Sequence, residues 1–327
     1  MKSKALFYFV TLIFMVIVAV ALVPEARAAY PEKPIEIVVH SAPGGGSDLF
    51  ARVVALILEK EGIVKQKMNV VNRTGGAAAV AVNYLASKKG DPYVIMNVTT
   101  SPISALLRGT TQIKFEDITL LAMLVEDVNL VFTRYDSPFK DMKSFIAEAK
   151  KFPDKFNVAV GTAGGTEHVS SYRVAKAAGI KYNITTFKGG GEAAVALLGG
   201  HVDISFGNIN EQMGQIEAKK VRPLAVMTGK RIPYLPDVPT LKEIGIDVEF
   251  SQVRGFWAPQ DFPSYAVKFW EDAFEKLSKT KGFRDQVNAT QGVLDFRKHE
   301  EFRKYLIKYM ADLDQDVKAL ELYKEKK

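Results

Sequence analysis

Cysteine does not occur among the 327 residues. That removes a disulfide framework, a thiolate metal site, a cysteine nucleophile and a lipid-modified N-terminal cysteine. Histidine is scarce: His40, His168, His201 and His299 are the full set, and none shares metal-ligand spacing with another. A Gly-x-Ser-x-Gly elbow is missing, so a hydrolase built on Ser47 or Thr166 with His168 has no identifiable base and orienting acid. A dinucleotide fingerprint fails because Leu49 stands where the third glycine after Gly44-x-Gly46 is required. Lys and Arg nowhere form a run interleaved with aromatics, which argues against nucleic acid as a partner. Low-complexity tracts, coiled-coil heptads and a second long apolar run are also missing. The chain therefore reads as a non-enzyme with neither metal nor cofactor.

What remains is an ordinary globular composition, 47% hydrophobic and 25% charged, at a length that calls for two domains or one large α/β domain. Residues 1–28 stand apart. Lys2 and Lys4 precede an apolar run from Ala5 to Val23, and Ala26-Arg27-Ala28 has the small-x-small pattern of a cleavage site. We expect a secretory signal peptide cut after Ala28; an uncleaved anchor is the alternative, and both export the rest. The remainder stays mildly basic, as a solvated cationic surface or a preference for anionic ligands would make it.

The stretch Ile35–Ile57 organises the rest. An apolar strand, Ile35–Val39, runs into the turn Ala42-Pro43-Gly44-Gly45-Gly46-Ser47 and then a helix with Leu49, Val53, Ile57 and Phe50, Val54, Leu58 on adjoining rows. Such a turn aims its backbone N–H groups and the positive end of the helix dipole at one point, where an anion fits. Asp48 is read as the N-cap, and Ser47 and Asp48 can equally serve as capping residues and nothing more. The pattern repeats along the chain. Strand Tyr93–Val98 ends in Thr99, Thr100 and Ser101, hydroxyls at a strand C-terminus that could also merely cap the next helix. Strand Phe156–Val160 meets Gly161-Thr162-Ala163-Gly164-Gly165-Thr166-Glu167-His168, which copies the two glycines, hydroxyl and carboxylate of the first turn. His168 there is a packing or capping residue or a ligand contact. Lys188-Gly189-Gly190-Gly191 places a cation, or a solvated surface lysine, beside open amides, and Gly207-Asn208 ends a further strand.

Alternating strands and helices predict mainly parallel sheets with right-handed crossovers. Leu120–Leu124 and Asn129–Thr133 follow each other with no helix between, which marks a passage from one domain to another. Pro233, Pro236 and Pro239 mark a rigid, ordered return. Trp270, on a stripe with Val267, Phe274 and Leu277, reads as core.

Five blocks in fixed order carry a resemblance: PEKPIEIVVHSAPGGGSDLFAR, VVNRTGG, GTAGGTEH, FKGGGEAAVALLGGHVDISF and RPLAVMTGKRIPYLPDVPTLKEIG. The chain resembles the substrate-binding receptors of tripartite tricarboxylate transporters, also called Bug receptors, from about residue 30 to beyond 260. That resemblance implies a two-domain periplasmic-binding-protein-like fold of type II, with two mainly parallel sheets flanked by helices and a ligand cleft between the domains. Residues 29–127 plus 226–327 would form a discontinuous first domain, and 128–225 the second. It further implies a monomer in the periplasm that binds a small di-, tri- or aromatic carboxylate and hands it to a membrane permease, or presents it to a sensor kinase. By position, Ser41, Gly45, Gly46, Ser47, Asp48, Thr99, Thr100 and Ser101 would form one wall of the cleft. Thr162, Gly165, Thr166, His168, Lys188, Gly189, Gly190 and Asn208 would form the other. His40-Ser41, in place of the usual Pro-Phe or similar pair, puts a polar side chain where the family has an apolar one; Thr74 replaces a common proline, and Gly90-Asp91-Pro92-Tyr93 alters the usual Pro-Asp-Gly-Tyr.

Overall fold

The computed structural model describes residues 30–324. The expected signal peptide and its cleavage site lie outside the described residues. From Lys33 onward the chain is one unit. Among the described residues, no helix is long and apolar enough to cross a membrane.

The first βαβ unit is the one the apolar run predicts: β1 (Ile35–Val39), helix α1 (Gly46–Lys60) and β2 (Met68–Asn72). β1 pairs in parallel with β2, Ile37 opposite Val70. β-branched residues suit such a central strand because both of its faces are covered. Of the two adjoining rows expected on α1, only Val54 and Leu58 are buried, with Ala51 and Ala55; Phe50, Val53 and Ile57 are half-buried and Leu49 is 39% exposed. Small residues let the helix lie close to the sheet, so its buried face is narrow and Leu49 falls on its edge.

The unit continues through α2 (Ala79–Ala86), β3 (Val94–Val98), α3 (Thr100–Leu107) and β4 (Thr119–Asp127). One residue then separates β4 from β5 (Asn129–Arg134), and β5 belongs to the other sheet. The second sheet collects α4 (Met142–Lys151), β6 (Asn157–Val160), α5 (Thr166–Ala178), β7 (Asn183–Thr186), α6 (Gly190–Leu198), β8 (Ile204–Asn208), α7 (Ile209–Glu217) and β9 (Val221–Val226). The chain returns in β10 (Gln252–Ala258) and finishes with α8 (Ser264–Lys279), α9 (Lys281–Ala289), β11 (Val293–Lys298) and α10 (His299–Lys324). Strand order is β11-β4-β10-β3-β1-β2 in the first sheet and β7-β6-β8-β5-β9 in the second.

Both sheets are mixed. β1 with β2 and β3, and β6 with β7 and β8, are parallel as expected. The other five pairings are antiparallel and all involve β4, β5, β9, β10 or β11. A strand that enters a sheet from the other one, without a helical crossover, runs back along its neighbour. The proline-rich return is ordered and packs on the second sheet: Met227, Leu241, Ile246 and Val248 share a core with Val158, Val160 and Phe206. Trp270, Phe274 and Leu277 are fully buried. The charged tail is α10, whose Phe302, Leu306, Leu313 and Val317 complete the core that also holds Val98, Ile103 and Trp257.

Candidate functional site

Helix N-termini from both sheets meet in one place. α1, α3, α5, α6 and α7 begin at N-caps Gly45, Thr99, Gly165, Gly189 and Asn208, and none of these makes a side-chain capping hydrogen bond. Their first-turn amides are thus left for something else to satisfy. Between them lies a cavity of about 20 Å³, roughly the room of one water molecule. From the first sheet's side, Ser41, Gly46, Ser47, Thr99 and Ser101 line it. From the second, Thr162, Gly189, Gly190 and Asn208 do so. These nine were all expected there.

The walls touch. Ala42 N–H donates to the Lys188 carbonyl at 3.4 Å. Thr166 Oγ1 donates to Thr100 Oγ1 at 2.6 Å, and Thr100 Oγ1 lies 2.6 Å from the Tyr309 hydroxyl. Thr100 and Thr166 therefore link the walls behind the cavity and do not line it. Several other expected contacts also have local duties. Gly45 packs on its own turn, where a Cβ would stand 3.1 Å from Ser41 Oγ, and a Cβ on Gly165 would stand 2.6 Å from Ser101 Oγ. Asp48 is not the N-cap: it sits in the first turn of α1, accepting from Gly44 N–H and Arg52 Nε at 3.0 Å and from Asn72 Nδ2 at 2.9 Å. Burial alone would raise its pKa, but these bonds outweigh that and hold the carboxyl below its ordinary value. His168 Nδ1 accepts from Gly164 N–H at 2.9 Å and closes its turn. The Lys188 side chain is exposed, while its main-chain N–H donates to Glu192 at 3.1 Å.

Four lining residues escaped the sequence reading: His40, Glu167, Glu211 and Gln252. Behind them is Arg254, fully buried on β10 and paired through Nε with Asp127 of β4. The Gln252 amide is assigned with its nitrogen toward Thr166 Oγ1, at 2.8 Å, and its oxygen toward Arg254 Nη2, also at 2.8 Å. Glu211, from the first turn of α7, reaches across and accepts a hydrogen bond from Gly46 N–H at the start of α1. Its other oxygen, Oε2, is buried without a partner. A carboxyl group of the protein thus occupies the amide that the first glycine turn offers to an anion.

Burial of its carboxyl, and then the neighbouring Glu167, push Glu211 up to about 8, against the opposing pull of Arg254. Glu167, 6% exposed, is likewise raised, chiefly by burial. His40 is lowered to about 3 by burial and then by the Arg254 charge, so its imidazole is neutral. The raised Glu211 has a stability consequence. An unfolded glutamate loses its proton near 4.5, whereas the folded Glu211 keeps it to about 8, so its contribution is whole below 4.5 and gone above 8. Glu167 works in the same direction, while neutral His40 contributes stability that appears as pH rises. The Glu211 part is isolated by difference: the melting midpoint of the wild type minus that of Glu211→Gln should decline between pH 4.5 and 8, then level. A difference constant across that window would contradict the assignment.

The model of the tripartite tricarboxylate transporter family receptor matches residues 50–310. A UPF0065 protein of Agrobacterium vitis is 31% identical over 247 residues, covering 74% of this chain and 70% of that protein. The solved structure of a periplasmic transporter superposes with a TM-score of 0.83 at 28% identity, over 88% of this chain and 97% of that one. An R. palustris structure with adipate has the same fold, with a TM-score of 0.84 at 23% identity, over 89% of this chain and 98% of its own. With most of its length matched by the family model and its two-sheet fold shared with solved receptors, the chain belongs to the tripartite tricarboxylate transporter receptor family, a family of solute-binding receptors.

Proposed function

We propose that the protein is a periplasmic solute receptor that closes its cleft on a small organic carboxylate and delivers it, as a monomer, to a membrane permease. The observation that carries this reading is the convergence of uncapped helix N-termini and hydroxyls from both sheets on one shared cavity. Only contacts made to both walls at once give a ligand a higher affinity for the closed form, and that difference is what drives closure. The moving bodies are residues 30–127 with 249–324, and 128–248: the expected boundary at 226 shifts, because Val226 pairs with Leu130 of β5 and Met227, Leu241, Ile246 and Val248 pack in the core of the second sheet. The crossings β4–β5 and β9–β10 join them. Glu211 on Gly46 N–H is the protein's own stand-in for the ligand carboxylate.

Calorimetry of the purified protein against mono-, di-, tri- and aromatic carboxylates should reveal saturable 1:1 binding to a member of that panel. A wholly silent panel would refute the reading. Ser47, 5% exposed, lines the cavity, and Ser47→Ala should weaken the binding found by roughly 1 kcal/mol, the scale of one hydrogen bond. Unchanged affinity would return Ser47 to a filler of the helix start.

A further inference from the structure

A second cavity, of about 170 Å³, adjoins the first. The two share no lining residue, and the Arg254–Asp127 pair stands between them. Asp127 lines the second cavity, Arg254 Cζ lies 5.4 Å from the ring centre of its Phe50, and the Gln252 that holds Arg254 lines the first. Helix α1 contributes Leu49, Phe50 and Val53, α9 contributes Phe283 and Val287, and β4 contributes Val125. All six are apolar. Phe50 and Phe283 meet edge to face, with ring centroids 6.5 Å apart and planes at 64°. Leu49, 39% exposed, carries the apolar lining out to the surface.

The volume sets the size of an occupant. An apolar cavity of about 150 Å³ holds a benzene molecule, so this one takes a single ring with one small substituent. The lining sets its charge. Among the described lining residues there is no Lys, Arg or His, and Asp127, the acid in the wall, is already paired with Arg254. A carboxylate would enter beside that acid with no cation to meet it. The wall offers acceptors instead: Asp127, and Asn210 of α7, whose Oδ1 is buried without a hydrogen-bond partner. An oxygen of that kind ordinarily has a donor.

We propose that this pocket is a second binding site, separate from the carboxylate cavity, for a neutral single-ring molecule with a hydroxyl donor, in its simplest form a phenol. The ring packs against Phe50, Phe283 and the aliphatic side chains, and the hydroxyl donates to Asn210 or Asp127. A phenol enters uncharged at pH 7, since it ionises near about 10. Asn210 gives the site a further property. It belongs to the body that carries the second sheet, whereas α1, β4 and α9 belong to the other, so an occupant that bridges them holds the two bodies as they stand. On the receptor reading, on which this consequence rests, the phenol and the carboxylate each tighten the binding of the other by the same factor.

Calorimetry of the purified protein with phenol, 4-methylphenol and toluene tests this at pH 7. A phenol should bind saturably with a Kd of about 1 mM or tighter, within what a ligand of that size can supply. Val53→Phe, which fills the pocket from α1, should abolish that binding, and Thr290→Phe should do so from α9 if the first variant melts abnormally. Asn210→Leu should weaken the phenols about tenfold, the scale of one hydrogen bond, and leave toluene no weaker. Benzoate should not displace the phenol. A saturating phenol should tighten the best carboxylate about fivefold or more. No saturable phenol binding, binding unmoved by the pocket-filling variants, or displacement by benzoate overturns the site. Carboxylate affinity unchanged by the phenol overturns the coupling between the two cavities. A carboxylate panel without a binder removes the receptor reading and leaves the phenol site standing.

Discussion

Arg254→Ala should lower the unfolding free energy by about 3–5 kcal/mol, the scale found when one partner of a buried ion pair is removed. Arg254 is fully buried and Asp127 is 6% exposed, so water cannot take the place of the lost guanidinium. The deletion strands more than one group. Asp127 loses its Nε partner, the Gln252 oxygen loses donors at 2.8 and 3.2 Å, and Glu167 and Glu211 lose the positive charge that opposes their burial. Urea unfolding followed by circular dichroism measures the loss, and a value within 1 kcal/mol of wild type would show the pair to be dispensable. Arg254→Lys should recover only part, since an ammonium lacks the planar fork that meets Asp127 and Gln252 together. Arg254→Met combined with Asp127→Asn should recover more than half, because it removes both charges.

The pair's position explains why such a costly feature sits here. Asp127 is the last residue of β4, opposite Gln252 at the first residue of β10. Two residues beyond Asp127, at Asn129, the chain enters the second sheet, and just before Gln252 it comes back from it. Asn129 Nδ2 donates to the Phe250 carbonyl at 3.3 Å, and Met227 N–H donates to the Asn129 carbonyl at 3.0 Å, so the two crossings are tied side by side. The ion pair pins the crossings at their first-sheet end, directly behind the cavity.

Much of this was legible in the residues. Ile35–Val39 could only be a buried strand, three glycines in a row before a helix could only leave amides open, and the repeat of that design at Gly164-Gly165-Thr166 put a second open helix start in the other sheet. The hydroxyls at Thr99 and Ser101 follow from their place at a strand end. Residues that matter through distant contacts were not legible. Glu211 is an ordinary acid near the start of an amphipathic helix; only the approach of α7 to α1 across the cleft makes it a cavity residue. Arg254 did leave a trace, a lone charge inside the apolar run Val253–Ala258, but its partner is 127 residues away. Asp48 looked like a cap because an acid at a helix start usually is one. Here the helix begins two residues earlier, and Arg52 and Asn72 claim the side chain. β11 escaped because it is an edge strand, with Val293 and Leu294 exposed, whose pairing with β4 is a tertiary matter.

Gly46→Ala should reduce ligand affinity about tenfold to a hundredfold while leaving the fold in place. Gly46 is the first residue of α1, where alanine is a good helix former, so the backbone has no objection. The obstacle is the opposite wall. A Cβ there would stand 2.6 Å from Arg254 Nη2, 2.9 Å from Glu211 Oε1 and 3.2 Å from Asn208 Nδ2. Glu211 is the end of a flexible side chain and can swing aside. Arg254 is held by Asp127 and Gln252, and Asn208 ends a central strand, so the remaining contacts are relieved only by keeping the walls apart. Overpacking of this kind costs roughly 1–3 kcal/mol, and as it falls on the closed form it appears as lost affinity at about 1.4 kcal/mol per tenfold. Glu211→Ala in the same chain should restore little of that loss, because the contacts with Arg254 and Asn208 persist. Calorimetry with the tightest carboxylate, together with a melting midpoint within a few degrees of wild type, makes the check. Full affinity in Gly46→Ala would mean that the ligand holds the walls further apart than they stand here, and that closure does not bring α1 against α7.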